Sequence, residues 1–438
     1  MPDPTEEIAA IVASRGEPER YSDDLPSAAP EPAATADERE HVSMPQPAAQ
    51  DTPDGQTPTD FASLTTMQVG GKFAQLLVAR TAFELAAHAA GLWESEDSWL
   101  LLGGGSNTIV ADSGYPGSVL LVRNTGIAVV ADDNLPENKV RVRVQAGQDW
   151  DELVAWSVAQ GYAGIEMLSG IPGLAGAAPV QNIGAYGGEL ANTLHSVELY
   201  ERDLAAVRRL PAAELRLAYR DSILKQGYEA VVLSIDLVLD ASRDNSTAEG
   251  QPLSAPIIFP QLAKALGVKL GAQVPLREVR DTVLRVRAEK GMVLDPQDPN
   301  SVSAGSFFMN PIVSEQFART LPPHAPRFPV DAEEASDTVT TFDAIRDGQL
   351  PPLPDYDSGE RRVKLSAAWL IENAGIKKGF RLPGSKAAIS DKHTLAITNR
   401  GGATAAEIGE LARYVVSMVQ AEFGVVLAPE PNIYGIEI

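Results

Sequence analysis

Residues 169–189 read SGIPGLAGAAPVQNIGAYGGE, with glycines at 170, 173, 176, 184, 187 and 188. That density does not suit the interior of a helix or strand, because each glycine loses the most conformational freedom on ordering. It suits a backbone that must turn tightly or approach a ligand closely. About 65 residues upstream a second such segment stands, LGGGSNTIV at 102–110. Three successive glycines, Gly103, Gly104 and Gly105, let backbone N–H groups approach an anion with no Cβ in the way, and Ser106 and Asn107 add polar side chains. Neither segment is a Rossmann fingerprint, since no G-x-G-x-x-G opens a helix, and neither is followed by the G-K-[ST] of a P-loop. Taken singly, each is a tight turn. Taken together, Gly103–Asn107 and Gly170-Ile171-Pro172-Gly173 with Gly176 suit a ligand that has a pyrophosphate and a long body. Gln181, Asn182 and Tyr186 are then available to ribose, adenine or a flavin ring. The reading is a non-Rossmann dinucleotide-binding domain.

The rest of the chain is compatible with this. At 438 residues there is room for two or three domains, and no apolar run approaches the roughly 20 residues of a membrane span. No apolar signal segment opens the chain. Cysteine is absent, which excludes disulfides, thiolate metal sites and a cysteine nucleophile. The net charge of −23 argues against nucleic acid as a partner. Residues 1–60 hold fourteen acidic and three basic side chains and ten prolines, so a disordered acidic tail is expected there.

Beyond the tail, helices and strands mix without a regular βαβ rhythm, which favours α+β. Thr81 to Glu84 and Thr404 to Glu407 have the capping-box pattern, and Gly91 and Gly424 are placed to end the helices they open. Val140, Val142 and Val144 alternate with Arg141 and Arg143, as in a strand with one buried and one solvated face. Strands are expected at 100–102, 119–122 and 231–239. Helices are expected from Trp150 to Gly161, over 274–289 and in LSAAWLIENAG. Loops are expected at 242–253 and across the proline-rich stretch 321–360.

One further segment needs explaining: SVSAGSFFMNP at 301–311, a hydroxyl between a glycine and two phenylalanines, closed by Asn-Pro. By itself it is a short buried strand with a filler serine. It occurs, however, in an ordered set: TTMQVGG (65–71), LGGGSNTIV (102–110), SGIPGLAGAAPVQNIGAYGGE (169–189), AYRDSILK (218–225), AGSFFMNP (304–311) and LAPEPNIYG (427–435). In this order, from about Phe61 to Ile438, the chain resembles the UDP-N-acetylenolpyruvoylglucosamine reductase family.

The resemblance implies a vanillyl-alcohol-oxidase-type, non-Rossmann FAD-binding domain joined to a C-terminal α+β substrate-binding domain. It implies one FAD-binding subdomain at 61–125 with a return at 431–438, a second at 126–295, and a substrate domain at 296–430. FAD is expected to be non-covalent, and NADPH to serve as co-substrate without a pocket of its own. Cofactor contacts fall on Gly103, Gly104, Gly105, Ser106, Asn107, Gly170, Ile171, Pro172, Gly173, Gly176, Gln181, Asn182, Gly184, Ala185 and Tyr186. Arg287 is expected beside the flavin's pyrimidine ring. The catalytic set it implies is Arg220, holding the substrate carboxylate, Glu430, and Ser306 as proton donor. A serine is a poor acid in water, but an enolate carbon is a strongly basic acceptor, and Phe307 and Phe308 can exclude water around it. Substrate contacts fall on Tyr219, Lys290, Asn310 and His393. A cytoplasmic monomer acting on a UDP-sugar, without membrane insertion, is the expected setting.

The chain departs from the family's pattern in places. Met309 stands where many members have lysine, so the diphosphate contact must lean on Lys290 or other groups. Phe259 falls near the place of a substrate-binding tyrosine. Pro431 replaces valine after Glu430, and Ala178 replaces a glycine.

Overall fold

The computed structural model describes residues 58–95, 97–241, 245–330 and 361–438. Residues 1–57, which hold nearly all of the expected acidic tail, lie outside them, as do 242–244 and 331–360. Asp60 already bridges to Lys72, so ordered pairing begins just ahead of Phe61. The chain forms two compact units. The first holds the chain up to Thr66, Gly71–Ser106 and Ser113–Asp298; the second holds Met67–Gly70, Asn107–Asp112 and Pro299–Ile438.

The first unit opens with β1 (Phe73–Ala79), α1 (Ala82–Glu94) and β2 (Trp99–Leu102). The chain then contributes β3 (Thr108–Val110) to the second unit and returns as β4 (Tyr115–Val122). β1, β4 and β2 make a parallel sheet in the order β1-β4-β2. Its central strand is buried at Val119, Leu120 and Leu121, as a parallel strand covered on both faces should be. Thr81 caps α1 by accepting the Glu84 N–H at 3.1 Å, while the Glu84 carboxylate takes the N–H of Arg80, one residue short of a full capping box. Gly91 does not end this helix. α1 runs through it to Glu94 and is capped at Ser95, because its buried stripe of Leu85, Ala86, Ala89, Ala90 and Leu92 continues past the glycine.

Next come β5 (Ile127–Val130), β6 (Lys139–Gln145), α2 (Trp150–Gln160), the short pair β7 (Gly184–Ala185) and β8 (Gly188–Glu189), β9 (Leu194–Glu201), β10 (Ala206–Pro211) and β11 (Ala230–Asp240). Five of these strands form an antiparallel sheet, β10-β9-β11-β6-β5. Val142 and Val144 face the core, as their alternation predicts. The opposite face is not simply solvated. Arg141, Arg143 and Arg209 converge on Asp236, whose side chain is fully buried beneath them. The helices α3 (Pro260–Leu266) and α4 (Leu276–Glu289) complete the unit and enclose a smaller core with Met167 and Tyr186.

The second unit consists of β12 (Ile312–Ser314), α5 (Glu315–Thr320), β13 (Arg327–Pro329), β14 (Arg362–Leu365), α6 (Ala367–Asn373), β15 (Ala387–Ile389), β16 (Ile397–Asn399), α7 (Ala405–Phe423) and β17 (Asn432–Tyr434). β13 lies inside the stretch expected to be loop. It pairs with β14, which pairs with β12 on its other edge. α7 has the full capping box of Thr404 and Glu407 and ends at Gly424 in the left-handed conformation. Its stripe of Ile408, Leu411, Val415 and Val419 is fully buried against Phe307, Phe308, Ile389 and Ile397. β17 pairs in parallel with β3. Among the described residues, no helix is long and apolar enough to cross a membrane.

Candidate active site

In the first unit the two glycine segments meet. The Ser106 hydroxyl donates to the carbonyl of Pro172 at 3.0 Å, and a Cβ on Gly103 would touch Leu174 at 3.5 Å. Two glycines are enforced by space. A Cβ on Gly105, at φ +63, would lie 2.0 Å from the Leu64 carbonyl oxygen, and one on Gly176 would lie 2.5 Å from the Ala146 Cβ. The second segment is held along the approach to α2: the N–H of Ala175 donates to Gln148, that of Gly176 to Ala146, and that of Trp150 to Gly173. Neither Gly103–Asn107 nor Gly170–Gly176 carries an acidic side chain. Two adjoining glycine-lined backbones without a carboxylate fit an anionic diphosphate.

Buried charges, of which the sequence reading singled out Arg287 alone, also hold this cradle. Asp151 accepts the N–H of Gly170 at 2.6 Å and forms a two-pronged ion pair with Arg280, at 2.7 and 2.8 Å. The carbonyl of Gly170 is taken from the other side by Arg287 Nε at 3.1 Å, and Arg287 Nη2 holds the carbonyl of Met292. Arg287 is therefore a clamp on the loop, and burial pulls its guanidinium below the ordinary arginine range. Glu166 is fully buried and accepts the N–H groups of Gly164 and Ala255 at 2.6 and 2.8 Å. Burial pushes its carboxyl up, against the pull of those donors. The signal for these residues is weak in one dimension, since an acid or base on a helix reads as a solvated face.

Arg220 reaches the segment between the second glycine loop and β8. Its Nη2 donates to the carbonyl of Gly184 at 2.9 Å and its Nη1 to Asn182 at 3.4 Å, and its guanidinium carbon lies 5.6 Å from the Tyr219 ring centroid. Arg220, Asn182 and Tyr186 all have positive φ, at 54°, 42° and 52°. Backbone strain at non-glycine residues collects at ligand sites. The Asn182 amide is committed to the fold: it donates to Glu189 and Ala218 and accepts from Ala191. Any cofactor contact by Asn182 thus falls on its backbone. Lys290 donates to Gln261 at 3.2 Å and sits 5.7 Å from the Tyr186 ring. Phe259 precedes α3, and its ring meets Tyr186 edge-on at 5.9 Å.

In the second unit the segment after Gly305 runs antiparallel to the one ending at Glu430. Met309 N–H donates to Ala428 at 3.0 Å, and Glu430 N–H donates to Phe307 at 2.8 Å. Ser306 and Glu430 thus lie on neighbouring segments. On the other side Phe307 N–H donates to Leu395 at 2.7 Å, which ties the segment to the turn carrying His393. Asn107 donates through Nδ2 to the carbonyl of Glu430 at 3.4 Å and accepts from Asn432 N–H. Phe307 and Phe308 are fully buried, so the serine is anchored by both its successors. Asn310 accepts the N–H of Ala367 at the start of α6. The chain passes from one unit to the other between Ser106 and Asn107 and again after Asp298, and the expected site residues divide: the glycine loops, Arg220, Arg287 and Lys290 in the first, and Asn107, Ser306, Asn310, His393 and Glu430 in the second.

Comparison with known proteins gives a consistent result. The profile of the UDP-N-acetylenolpyruvoylglucosamine reductase C-terminal domain matches residues 296–434, and that of an FAD binding domain matches 73–203. A UDP-N-acetylenolpyruvoylglucosamine reductase of Leifsonia xyli subsp. xyli is 53% identical over 382 residues, which cover 87% of this chain and 99% of the relative. One from Thermobifida fusca is 44% identical over 379 residues, covering 86% and 97%. The crystal structure of UDP-N-acetylenolpyruvylglucosamine reductase from Thermus caldophilus superimposes with a TM-score of 0.52 at 24% identity, covering 86% of this chain and 97% of that one. At that identity the likeness speaks for the fold. The α+β architecture with a non-Rossmann, vanillyl-alcohol-oxidase-type FAD-binding domain is borne out.

Proposed function

The chain belongs to the UDP-N-acetylenolpyruvoylglucosamine reductase family and is an FAD oxidoreductase, and we propose that it reduces the enolpyruvyl group of UDP-N-acetylglucosamine enolpyruvate to give UDP-N-acetylmuramate, at the expense of NADPH, in peptidoglycan precursor synthesis. FAD, when bound, would supply hydride chemistry at the terminal vinyl carbon, with NADPH as the source of the hydride. Gly103–Ser106 and Gly170–Gly176 would hold its diphosphate non-covalently, and Gln181, Gly184, Ala185, Tyr186 and the backbone of Asn182 would line its body. Hydride addition leaves the electron pair of the vinyl bond on the α-carbon, delocalised into the carboxylate. Arg220 takes that carboxylate, since a planar guanidinium matches its two oxygens and stays charged. Glu430 acts with it on the developing enolate. Ser306 gives one proton to the α-carbon, which completes the lactyl ether. Tyr219, Lys290, Asn310 and His393 contact the sugar nucleotide, and Lys290 takes over the diphosphate contact that Met309 does not make. A cytoplasmic site of action follows from the same substrates.

The observation that supports this reading is the antiparallel pairing of 307–309 with 428–430, by which the segment that begins at the expected proton donor runs alongside the one that ends at the expected carboxylate. The test is direct. Purified protein is expected to be yellow and to oxidise NADPH rapidly only when the enolpyruvyl sugar nucleotide is added. Equal stimulation by sugar lactones or hydroxy acids would assign it to another flavin oxidoreductase.

A further inference from the structure

A pair of arginines at the carboxyl end of the parallel sheet has no role in the reaction described so far. β1, β4 and β2 end side by side at Ala79, Val122 and Leu102, and each is followed by a residue of interest: Arg80, Arg123 and Gly103. The N–H of Arg123 donates to the carbonyl of Ala79, which fixes the register of this edge. Arg123 Nη1 donates to the carbonyls of Gly103 at 3.0 Å and Val122 at 2.6 Å, so the guanidinium lies directly against the start of the first glycine loop. Its Nε is buried and has no hydrogen-bond partner among the described residues. A buried donor left unsatisfied costs about 1–3 kcal/mol.

The surroundings are cationic. Burial, and then the charge of Arg80, pull Arg123 down to about 10. The neighbouring acid, Glu84, directs its carboxylate to the backbone N–H of Arg80 at 2.7 Å. Among the described residues no carboxylate lies within ion-pair distance of Arg123. In a chain of net charge −23, two arginines side by side with no acid between them are unexpected on structural grounds alone. The place is also where open sheets with parallel strands take ligands: just beyond the carboxyl ends, where glycine loops begin.

We propose that Arg123, with Arg80 beside it, is a phosphate-binding site at the carboxyl edge of this sheet and takes a phosphoryl group of a bound dinucleotide. The site rests on the reading of the chain as a dinucleotide-using flavoenzyme and extends it beyond the glycine loops. One edge of the guanidinium is committed to carbonyls of the sheet. The edge carrying Nε matches a phosphoryl oxygen, and an anion there relieves both the unsatisfied donor and the repulsion between the arginines. FAD and NADPH both offer that chemistry.

The test uses full-length wild type, Arg123→Gln, Arg123→Lys and Arg80→Gln. Affinity for FAD is measured on flavin-stripped protein at low and high salt, KM for NADPH on flavin-saturated protein, and the melting temperature without ligand. A site for FAD predicts that Arg123→Gln weakens FAD at least about tenfold, equivalent to about 1.4 kcal/mol. The salt dependence of FAD binding falls, Arg123→Lys recovers part of the loss, Arg80→Gln shows a smaller loss, and the ligand-free melting temperature moves by no more than about 2 °C. A site for NADPH predicts unchanged FAD affinity and a raised KM for NADPH at constant kcat. Unchanged FAD affinity together with unchanged KM overturns the site. So does a loss of FAD affinity that comes with a large drop in ligand-free melting temperature and an undiminished salt dependence, since Arg123 is then a strand-end support. A wild type that takes up no FAD removes the flavoenzyme reading and this site with it, whereas a wild type that binds FAD, with neither FAD affinity nor KM for NADPH altered in Arg123→Gln, removes the site alone.

Discussion

Ser306 is a weak acid in water, so its proposed role depends on being held still beside a strongly basic carbon. The structure holds the segment that follows it: Phe307 and Phe308 are fully buried, and the Phe307 backbone is paired on both edges, its N–H to Leu395 and its carbonyl to Glu430. Ser306→Ala removes the hydroxyl and leaves those anchors in place. Under the proposed reading, reduction of the flavin by NADPH stays within about twofold of wild type. Reoxidation by the enolpyruvyl substrate falls by about 10²–10⁴, the usual contribution of a positioned proton donor. Stopped-flow absorbance of the two half-reactions measures this, and equal slowing of both contradicts the assignment. At this scale the sequence offers candidates where a residue type is tied to a short motif, as with Ser306 and Glu430. It was silent on Asp151, Arg280, Glu166 and Arg123. Asp151 and Arg280 are 129 positions apart in the chain, and only the fold turns two unremarkable helix charges into a buried ion pair under Gly170.

Elements were legible in proportion to their local punctuation. α7 carries a full capping box, an unbroken apolar stripe and a terminal glycine, and it forms from Ala405 to Phe423 as its sequence specifies. α1 overruns Gly91 because packing of its buried alanines outweighs the roughly 1 kcal/mol that glycine costs in a helix. β13 was hidden in a proline-rich stretch because a three-residue edge strand has no periodicity to read. α2 shows a local compromise in favour of the glycine loop. Asp149 caps it by accepting the N–H of Glu152 at 2.9 Å, and its backbone bridges to Leu174. Burial raises its carboxyl to about 6, with Glu152 and Asp151 adding like charge. The folded value therefore lies above the unfolded one. The associated stability is fully present below pH about 4 and is lost as pH rises through about 6. Asn caps as well as Asp but has no proton to lose. Asp149→Asn is expected to stabilise the protein by about 1–2 kcal/mol at pH 7.5, after allowing for solvent screening of a partly exposed cap. At pH 3.5 the gain shrinks to about 0.5 kcal/mol or less. Urea unfolding midpoints at the two pH values test this, and an equal gain at both excludes the protonation account.

At the scale of the whole molecule, the division into two units was the least legible feature, because neither unit is continuous in the chain. A family boundary near residue 296 invites the view that 299–438 is a self-contained domain. The structure argues otherwise. β17 has β3 (Thr108–Val110) as its strand partner, and Ile109 is fully buried in the core built around α7. Met67 and Val69 fill the same core, and the carbonyl of Met67 accepts from Asn399 Nδ2 at 3.1 Å. The N-terminus of α7 is capped twice: by Thr404 from within, and by Asp112, whose two oxygens accept the N–H groups of Ala405 and Ala406 at 2.8 and 2.9 Å. A carboxylate there also complements the helix dipole. Excising 299–438 removes one strand, three buried apolar side chains and a cap in one step. Burying a large aliphatic side chain contributes about 1.5–3 kcal/mol and a cap about 1 kcal/mol. The summed loss is comparable to the whole stability of a typical domain, about 5–15 kcal/mol. The isolated fragment is therefore expected to show no cooperative thermal transition, whereas the full chain does, by circular dichroism at equal concentration. Adding a synthetic 105–114 peptide is expected to restore part of the signal, since it brings back β3 and Asp112. A fragment that melts sharply near the temperature of the full chain would mean that the interrupted segments contribute little, and that the second unit folds on its own.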